Sequence, residues 1–199
     1  MIIHNFEQGT DEWQSIRLGK FTGSDFHTLL GKSKAAQDII YKKTSERLTG
    51  SKSDSDSFSN IHTKRGHDLE NDARLSYEFT TDNQVMEVGF IELNEFVGCS
   101  PDGLVGNDGM VEIKCKDNHN HLKSVIKNHI EPTHLTQMQF NMFVSDRKWC
   151  DYIMYNPNFS DPLHVIRVER DEEYINKIKN RLDELNTEVN KIINQFKGK

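Results

Sequence analysis

Near residue 83 the spacing of apolar residues changes period. Before that point they recur every three or four positions, the step that gathers them on one side of a helix. After it, β-branched and aromatic residues come in short runs bounded by Gly, Pro, Asn and Asp, the pattern of strands. A chain with this switch has to lay helices against a sheet, so an α/β fold is expected, with a mixed sheet covered by helices on both faces. With 199 residues, 35% apolar and 28% charged, residues 1–199 are expected to form one domain with a buried core.

In "GTDEWQSIRLG", Thr10 reads as a helix cap, Asp11 and Glu12 suit the first turn, and Gly19 reads as the stop. The same grammar in "TGSDFHTLLGKS" makes Ser24 the expected cap, Phe26, Leu29 and Leu30 the apolar face, and Gly31 the stop. From Ala35 to Gly50 a longer helix is expected to bury Ile39, Ile40, Lys43, Arg47 and Leu48. "SKSDSDSFS", residues 51–59, reads as a polar loop, and helical spacing resumes through Leu69, Ala73 and Tyr77. "QVMEVGFIEL", "FVGCS", "MVEIKCK", "KWCDYIMY" and "LHVIRVE" are the expected strands. "HLKSVIKNHI" and "PTHLTQMQFNMFV" are the helices between the third and fourth, the second opening with Pro132. Along the tail helix, 171–197, Ile175, Ile178, Leu182, Leu185, Val189, Ile192 and Phe196 alternate steps of three and four. That heptad seam suits either packing on the chain's own domain or contact with another subunit.

The start, "MIIHNFEQGTDEW", has no basic segment followed by a long apolar run, and no stretch is apolar enough to span a bilayer. A cytoplasmic protein with no membrane partner is expected. Cys99, Cys115 and Cys150 are odd in number and lack CxxC spacing, which argues against a disulfide framework or a zinc cage. A net charge of -6 excludes indiscriminate binding to polyanions but allows a local basic groove. His119 and His121, in a literal "HNH", read as part of a polar loop.

The chemistry gathers in "SPDGLVGNDGMVEIKCK", residues 100–116. On a strand, Val111 and Ile113 point one way while Glu112 and Lys114 point the other. Pro101 and Gly103 place Asp102 in a turn, and a hairpin of "FVGCS" with "MVEIKCK" through "GNDG" is expected to bring Asp102 beside Glu112. Two adjacent carboxylates repel unless a cation neutralises them, which makes a hard divalent metal the natural third party. A neighbouring lysine can orient or deprotonate a water, or offset charge on a phosphate. The other acid-x-lysine triplet, Asp146-Arg147-Lys148, has no turn aspartate to join it.

"PDG" followed by "VEIKCK" resembles the PD-(D/E)-x-K nuclease signature. "QGTDEWQSIRLGKFTGSDF", "RGHDLENDARLSYE" and "HLTQMQFNMFV" resemble, in the same order, three further blocks of the lambda-exonuclease or YqaJ-like phage recombination nucleases. The resemblance implies a restriction-endonuclease-like fold and metal-dependent hydrolysis of DNA. By position, Asp102 and Glu112 match the metal-binding carboxylates, the Ile113 carbonyl would complete the site, Lys114 matches the catalytic lysine, and Glu70 matches a helix acid that reaches the metal through water. Arg17 and Ser24 match residues that hold a terminal 5′-phosphate. Gln137 matches a glutamine lining the active site, and His134 stands where relatives can carry tyrosine. The implied cofactor is Mg²⁺, or Mn²⁺ in its place. The implied activity is 5′-to-3′ digestion of one strand of linear duplex, leaving a 3′ single strand for an annealing protein in a bacterial or phage-infected cell. A homo-oligomer, as in trimeric relatives, is also implied. The alternatives are a structure-specific endonuclease of the same superfamily and a non-catalytic protein that binds DNA ends.

Overall fold

The computed structural model describes residues 1–52 and 61–198, so most of the loop expected at 51–59 lies outside the described residues. Among them the chain forms two sheets with helices around them. Strands β1 (Ile2–His4), β3 (Phe90–Asn94) and β4 (Val97–Cys99) make an antiparallel sheet in the order β1-β3-β4. Strands β2 (Val85–Met86), β5 (Gly103–Val105), β6 (Gly109–Lys114), β7 (Trp149–Tyr155) and β8 (Leu163–Glu169) make a second sheet in that order. Only the central pair β6 and β7 runs parallel, which requires a long crossover; helices α5 (Asn118–Lys127) and α6 (Pro132–Ser145) provide it. The mixed α/β architecture matches the expectation.

Capping explains where the helices begin. The Thr10 hydroxyl accepts the Trp13 N–H at the start of α1 (Asp11–Ile16). Ser33 does the same for Ala36 in α3 (Lys34–Thr49), Asp117 for Asn120 in α5, and Asp171 for Tyr174 in α7 (Glu172–Lys197). Helix α2 (Gly23–Leu29) departs from the expectation, because its cap is Thr22 and Ser24 lies inside the first turn. The reason is upstream. Phe21 donates its N–H to the Phe96 carbonyl and accepts from the Gly98 N–H, so the chain stays extended against β4 through Thr22 and turns helical at once afterwards.

The five-stranded sheet is covered on both faces. On one side Met110, Cys150, Tyr152 and Met154 pack with α2, α3, α6 and α7; on the other, Val111, Ile113, Ile153 and Tyr155 pack with Ala73 and Tyr77 of α4 (Ile61–Thr81). Strand β6 therefore has no solvated face, and Glu112 points into the core on the α6 side.

Four further expectations are corrected. "FVGCS" does not pair with "MVEIKCK": β4 pairs with β3, and the hairpin partner of β6 is β5. Pro101, lacking an N–H, ends the first strand, and the chain bends there from one sheet into the other. "QVMEVGFIEL" is likewise divided between the two sheets as β2 and β3. The "HNH" residues open α5 rather than forming a loop, with His121 buried 5.0 Å from the Phe159 ring. On α3, Leu48 is exposed, whereas Thr44 and Glu46 are buried alongside the expected Ile40 and Lys43.

The tail seam is used inside the chain. Ile175, Ile178, Leu185 and Val189 are fully buried where α7 lies across α3 and α6, while Phe196 at the far end is exposed. Leu185→Ala should lower stability by about 2–5 kcal/mol, the range for truncating a buried leucine. Urea unfolding checks this; a change under ~0.5 kcal/mol would mean that the seam packs loosely.

Candidate active site

Asp102, in the turn that enters β5, is tied directly to β6: its Oδ2 accepts the Ile113 N–H at 2.6 Å. This fixes the turn carboxylate next to Glu112 in chain position. Glu112 is fully buried, and its Oε1 receives the Lys114 Nζ at 2.6 Å, the two-residue strand step having put both on one face. Its other oxygen, Oε2, is buried without a hydrogen-bond partner.

The electrostatics follow from burial. Burial raises the Glu112 pKa; nearby Lys114 opposes this, Asp102 and Glu70 add to it, and the group ends at about 7. Glu70, on α4, is also pushed up to about 7, by burial and then by the Asp102 charge, against Lys114 and Arg74. Asp102 is raised by burial against the Lys114 charge and the Ile113 N–H. For Lys114, burial pulls downward, but the Glu112 and Asp102 carboxylates outweigh it and hold the ammonium above its ordinary value. The three acids and the lysine thus form one mutually perturbed group.

These residues fit a hard divalent cation. An unpartnered buried carboxylate oxygen, and acids held partly protonated by burial and, for Glu112 and Glu70, secondarily by neighbouring carboxylate charge, are what a bound cation would relieve. Among the described residues no group of three or more His, Cys, Asp or Glu side chains is arranged to hold a metal. Mg²⁺ suits that scarcity, since it keeps several waters and takes one or two carboxylates plus phosphate oxygens.

The N-terminal helices supply the opposite wall. Arg17 closes α1, lies 4.0 Å from the Trp13 ring centre, and donates from Nη1 to the Ser100 hydroxyl at 3.1 Å. Trp13 Nε1 donates to the same hydroxyl at 2.9 Å, and Gln8 Nε2 donates to the Pro101 carbonyl at 3.0 Å. Three residues of the first seventeen therefore grip the two positions that precede Asp102. Burial lowers the Arg17 pKa and the Asp25 carboxylate opposes it, and the guanidinium stays charged at neutral pH.

At its first residue, Gly23, helix α2 meets α6 with no side chain of its own. A Cβ on Gly23 would lie 2.6 Å from Asn141 Oδ1, so only glycine lets the start of α2 come this close. The result is a cleft of ≈ 180 Å³ that holds Asp102, Glu112 and Lys114 together with Arg17, Ser24 and Gln137. His134 does not line it. Its Nδ1 stands 2.8 Å from the Tyr152 hydroxyl, and burial with the nearby Lys114 charge depresses its pKa to about 4. Gln8, Trp13, Ser100 and Asn141 also line the cleft and were not singled out from the sequence. Ser100 could have been, since it adjoins the Pro-Asp turn; Asn141 carries no local signal beyond its position one turn after Gln137.

The model of the YqaJ-like viral recombinase domain matches residues 12–148. An alkaline exonuclease, LHK-Exo, from Laribacter hongkongensis superposes with a TM-score of 0.87 at 33% identity, covering 94% of this chain and 96% of that one. Its complex with dAMP superposes equally well. A phage-related exonuclease from Haemophilus somnus 129PT has the same fold, with a TM-score of 0.67 at 20% identity over 89% of this chain and 96% of that one. No curated protein matches the sequence. No helix among the described residues is long and apolar enough to cross a membrane. With the family model spanning most of the chain and a relative matched over nearly all of it, the chain belongs to the YqaJ-like viral recombinase family, and its fold is the restriction-endonuclease-like fold of phage-type exonucleases.

Proposed function

We propose that the chain is a metal-dependent deoxyribonuclease that digests one strand of linear duplex DNA from its 5′ end, leaving a 3′ single strand for recombination. One observation carries this reading: a single cleft holds an acid, acid, lysine group and, on its facing wall, a half-buried arginine and a serine hydroxyl. The first can hydrolyse a phosphodiester. The second can hold a phosphate that is not cleaved, and an enzyme that grips one phosphate while cutting near it is suited to chain ends. A relative of known structure is a complex with dAMP, and a 5′-mononucleotide is the product this reading assigns here.

Mg²⁺, or Mn²⁺ in its place, held by Asp102, Glu112 and the Ile113 carbonyl and reached by Glu70 through water, would polarise the scissile phosphate and acidify the attacking water. Lys114, on the same strand face as Glu112, is placed to activate the attacking water and to offset the charge that develops on the phosphate. Glu70, reaching the metal through water, is placed to take up the proton that the attacking water releases. Arg17 and Ser24 anchor the terminal phosphate, and Gln137 offers an amide to the strand beside it. The expected partners are duplex ends and a single-strand annealing protein that takes the product. An oligomer, as the resemblance implies, needs a surface other than the seam, whose central residues the chain already covers.

Lys114→Ala should reduce cleavage in Mg²⁺ by at least ~10³-fold, and Asp102→Ala should in addition weaken metal affinity in calorimetry. Near-normal turnover by either variant would remove these residues from the chemistry. Ca²⁺, larger and less strict in geometry, should support DNA binding better than hydrolysis.

Duplexes labelled separately at each 5′ and 3′ end should lose the 5′ label first. A 5′-phosphorylated end should be degraded ~10-fold or more faster than a 5′-hydroxyl end, since a charge-assisted contact is worth about 1.5–3 kcal/mol. Arg17→Ala should erase most of that difference. Equal rates on both ends with efficient cutting of a closed circle would instead support the endonuclease alternative.

A third expectation concerns pH. Glu70 and Glu112 bind protons more tightly folded than unfolded, so their contribution to stability is full below about 4.5 and is lost as pH rises to about 7. In chelator, wild type should therefore melt progressively lower relative to Glu112→Gln across that window, and Mg²⁺ should offset the loss. A difference in melting that stays constant from pH 4.5 to 7 would contradict the assignment.

A further inference from the structure

Between Arg17 and Ser24 the chain makes one tight turn. Lys20 donates its N–H to the Arg17 carbonyl at 3.1 Å, and Gly19, third in that turn, has φ +68. That backbone conformation is one L side chains rarely adopt. A Cβ at Gly19 would also lie 2.4 Å from the Cγ of Arg47. Two consecutive residues of α3 seize Gly19 from both sides. Glu46 Oε2 accepts its N–H at 2.8 Å, and Arg47 Nε donates to its carbonyl at 2.6 Å.

Both groups are committed to this contact. Glu46 is 3% exposed, and the same oxygen also receives Lys43 Nζ at 3.0 Å, so its charge is balanced inside the protein. Arg47 lies with its guanidinium 4.1 Å from the Phe96 ring centre and 5.4 Å from that of Phe21, and its two terminal nitrogens are buried without partners. Its one hydrogen bond among those described for the side chain is the one to Gly19. Holding a guanidinium and a carboxylate out of water is costly, and both side chains hydrogen-bond to the same glycine.

We infer that Glu46 and Arg47 are positioning residues for the terminal phosphate: by gripping both ends of Gly19 they fix the turn that brings Arg17 and Ser24 into one cleft. This rests on the reading of Arg17 and Ser24 as the anchor of a 5′-phosphate. Neither residue lines the cleft, so both act through the backbone of the turn. Freeing the turn would let Arg17 drift from Ser100 while Glu112 and Lys114 on the sheet, and Asp102 bonded to it, keep their places.

The test uses the ratio of initial rates on 5′-phosphorylated and 5′-hydroxyl linear duplex, together with the ratio of the two dissociation constants measured in chelator. Each ratio is taken on one preparation, so a smaller folded fraction cancels, and a merely structural role would leave it unchanged. Arg47→Met keeps the apolar stem against Phe96 but removes the donor; Glu46→Leu removes the acceptor. Each should lower both ratios about three- to tenfold, with the 5′-hydroxyl rate falling much less, as misplacing a binding group by a fraction of an ångström implies. Glu46→Gln, which retains an acceptor oxygen for Gly19 but not the charge, should keep most of the wild-type ratio. Wild-type preference retained in both Arg47→Met and Glu46→Leu would overturn the inference and leave the phosphate pocket standing. No preference in wild type would overturn the pocket itself, and the inference with it.

Discussion

A carboxylate that water cannot reach governs this structure. Glu112 is fully buried on the central strand, and an isolated charge there would cost several kcal/mol, so its surroundings are arranged around keeping it tolerable. Lys114 takes one oxygen, and Asp102 is kept close by its bond to the next peptide. The remaining oxygen is buried without a hydrogen-bond partner, and this is the contact that the proposed cation would supply.

The position of that strand depends on the parallel pairing of β6 with β7, which α5 and α6 make possible by returning the chain across the sheet. The same crossover delivers Gln137 and Asn141 to the cleft, so the sheet topology and the cleft wall have one cause. Helix α4 covers the opposite face through Ala73 and Tyr77 and carries Glu70 toward the acids. On that face a second buried acid, Asp151, is fully paired by Arg167 and the Tyr77 hydroxyl. The contrast is informative: one buried acid is satisfied by the protein alone, and the other is not.

The N-terminal helices form the facing wall of the cleft. Their grip on Ser100 and Pro101 couples them to the turn that holds Asp102, so the two walls of the cleft are joined by hydrogen bonds rather than by packing alone. Trp13 and Arg17 reach the same hydroxyl, which restricts where the guanidinium can stand.

By itself the sequence determined what local rules can determine. The change of period announced α/β, the cap at Thr10 and the first-turn proline at 132 located two helix starts, and strand alternation put Glu112 and Lys114 on one face. Asp102 was legible as a turn residue because proline and glycine flank it. Tertiary structure alone decided the rest. Which strand pairs with β6 depends on where Pro101 sends the chain, and strand propensity is blind to partners. Ser24 reads locally as a cap, but a bridge between Phe21 and Val97, 76 positions apart, moved the helix start to Thr22. Periodicity marked the tail seam as apolar but could not say what covers it, since packing on one's own core and packing on a neighbour require the same stripe. The burial of Glu112, and the grip of Glu46 and Arg47 on Gly19, have no local signature at all. Both arise where segments distant in sequence exclude water from the same small space.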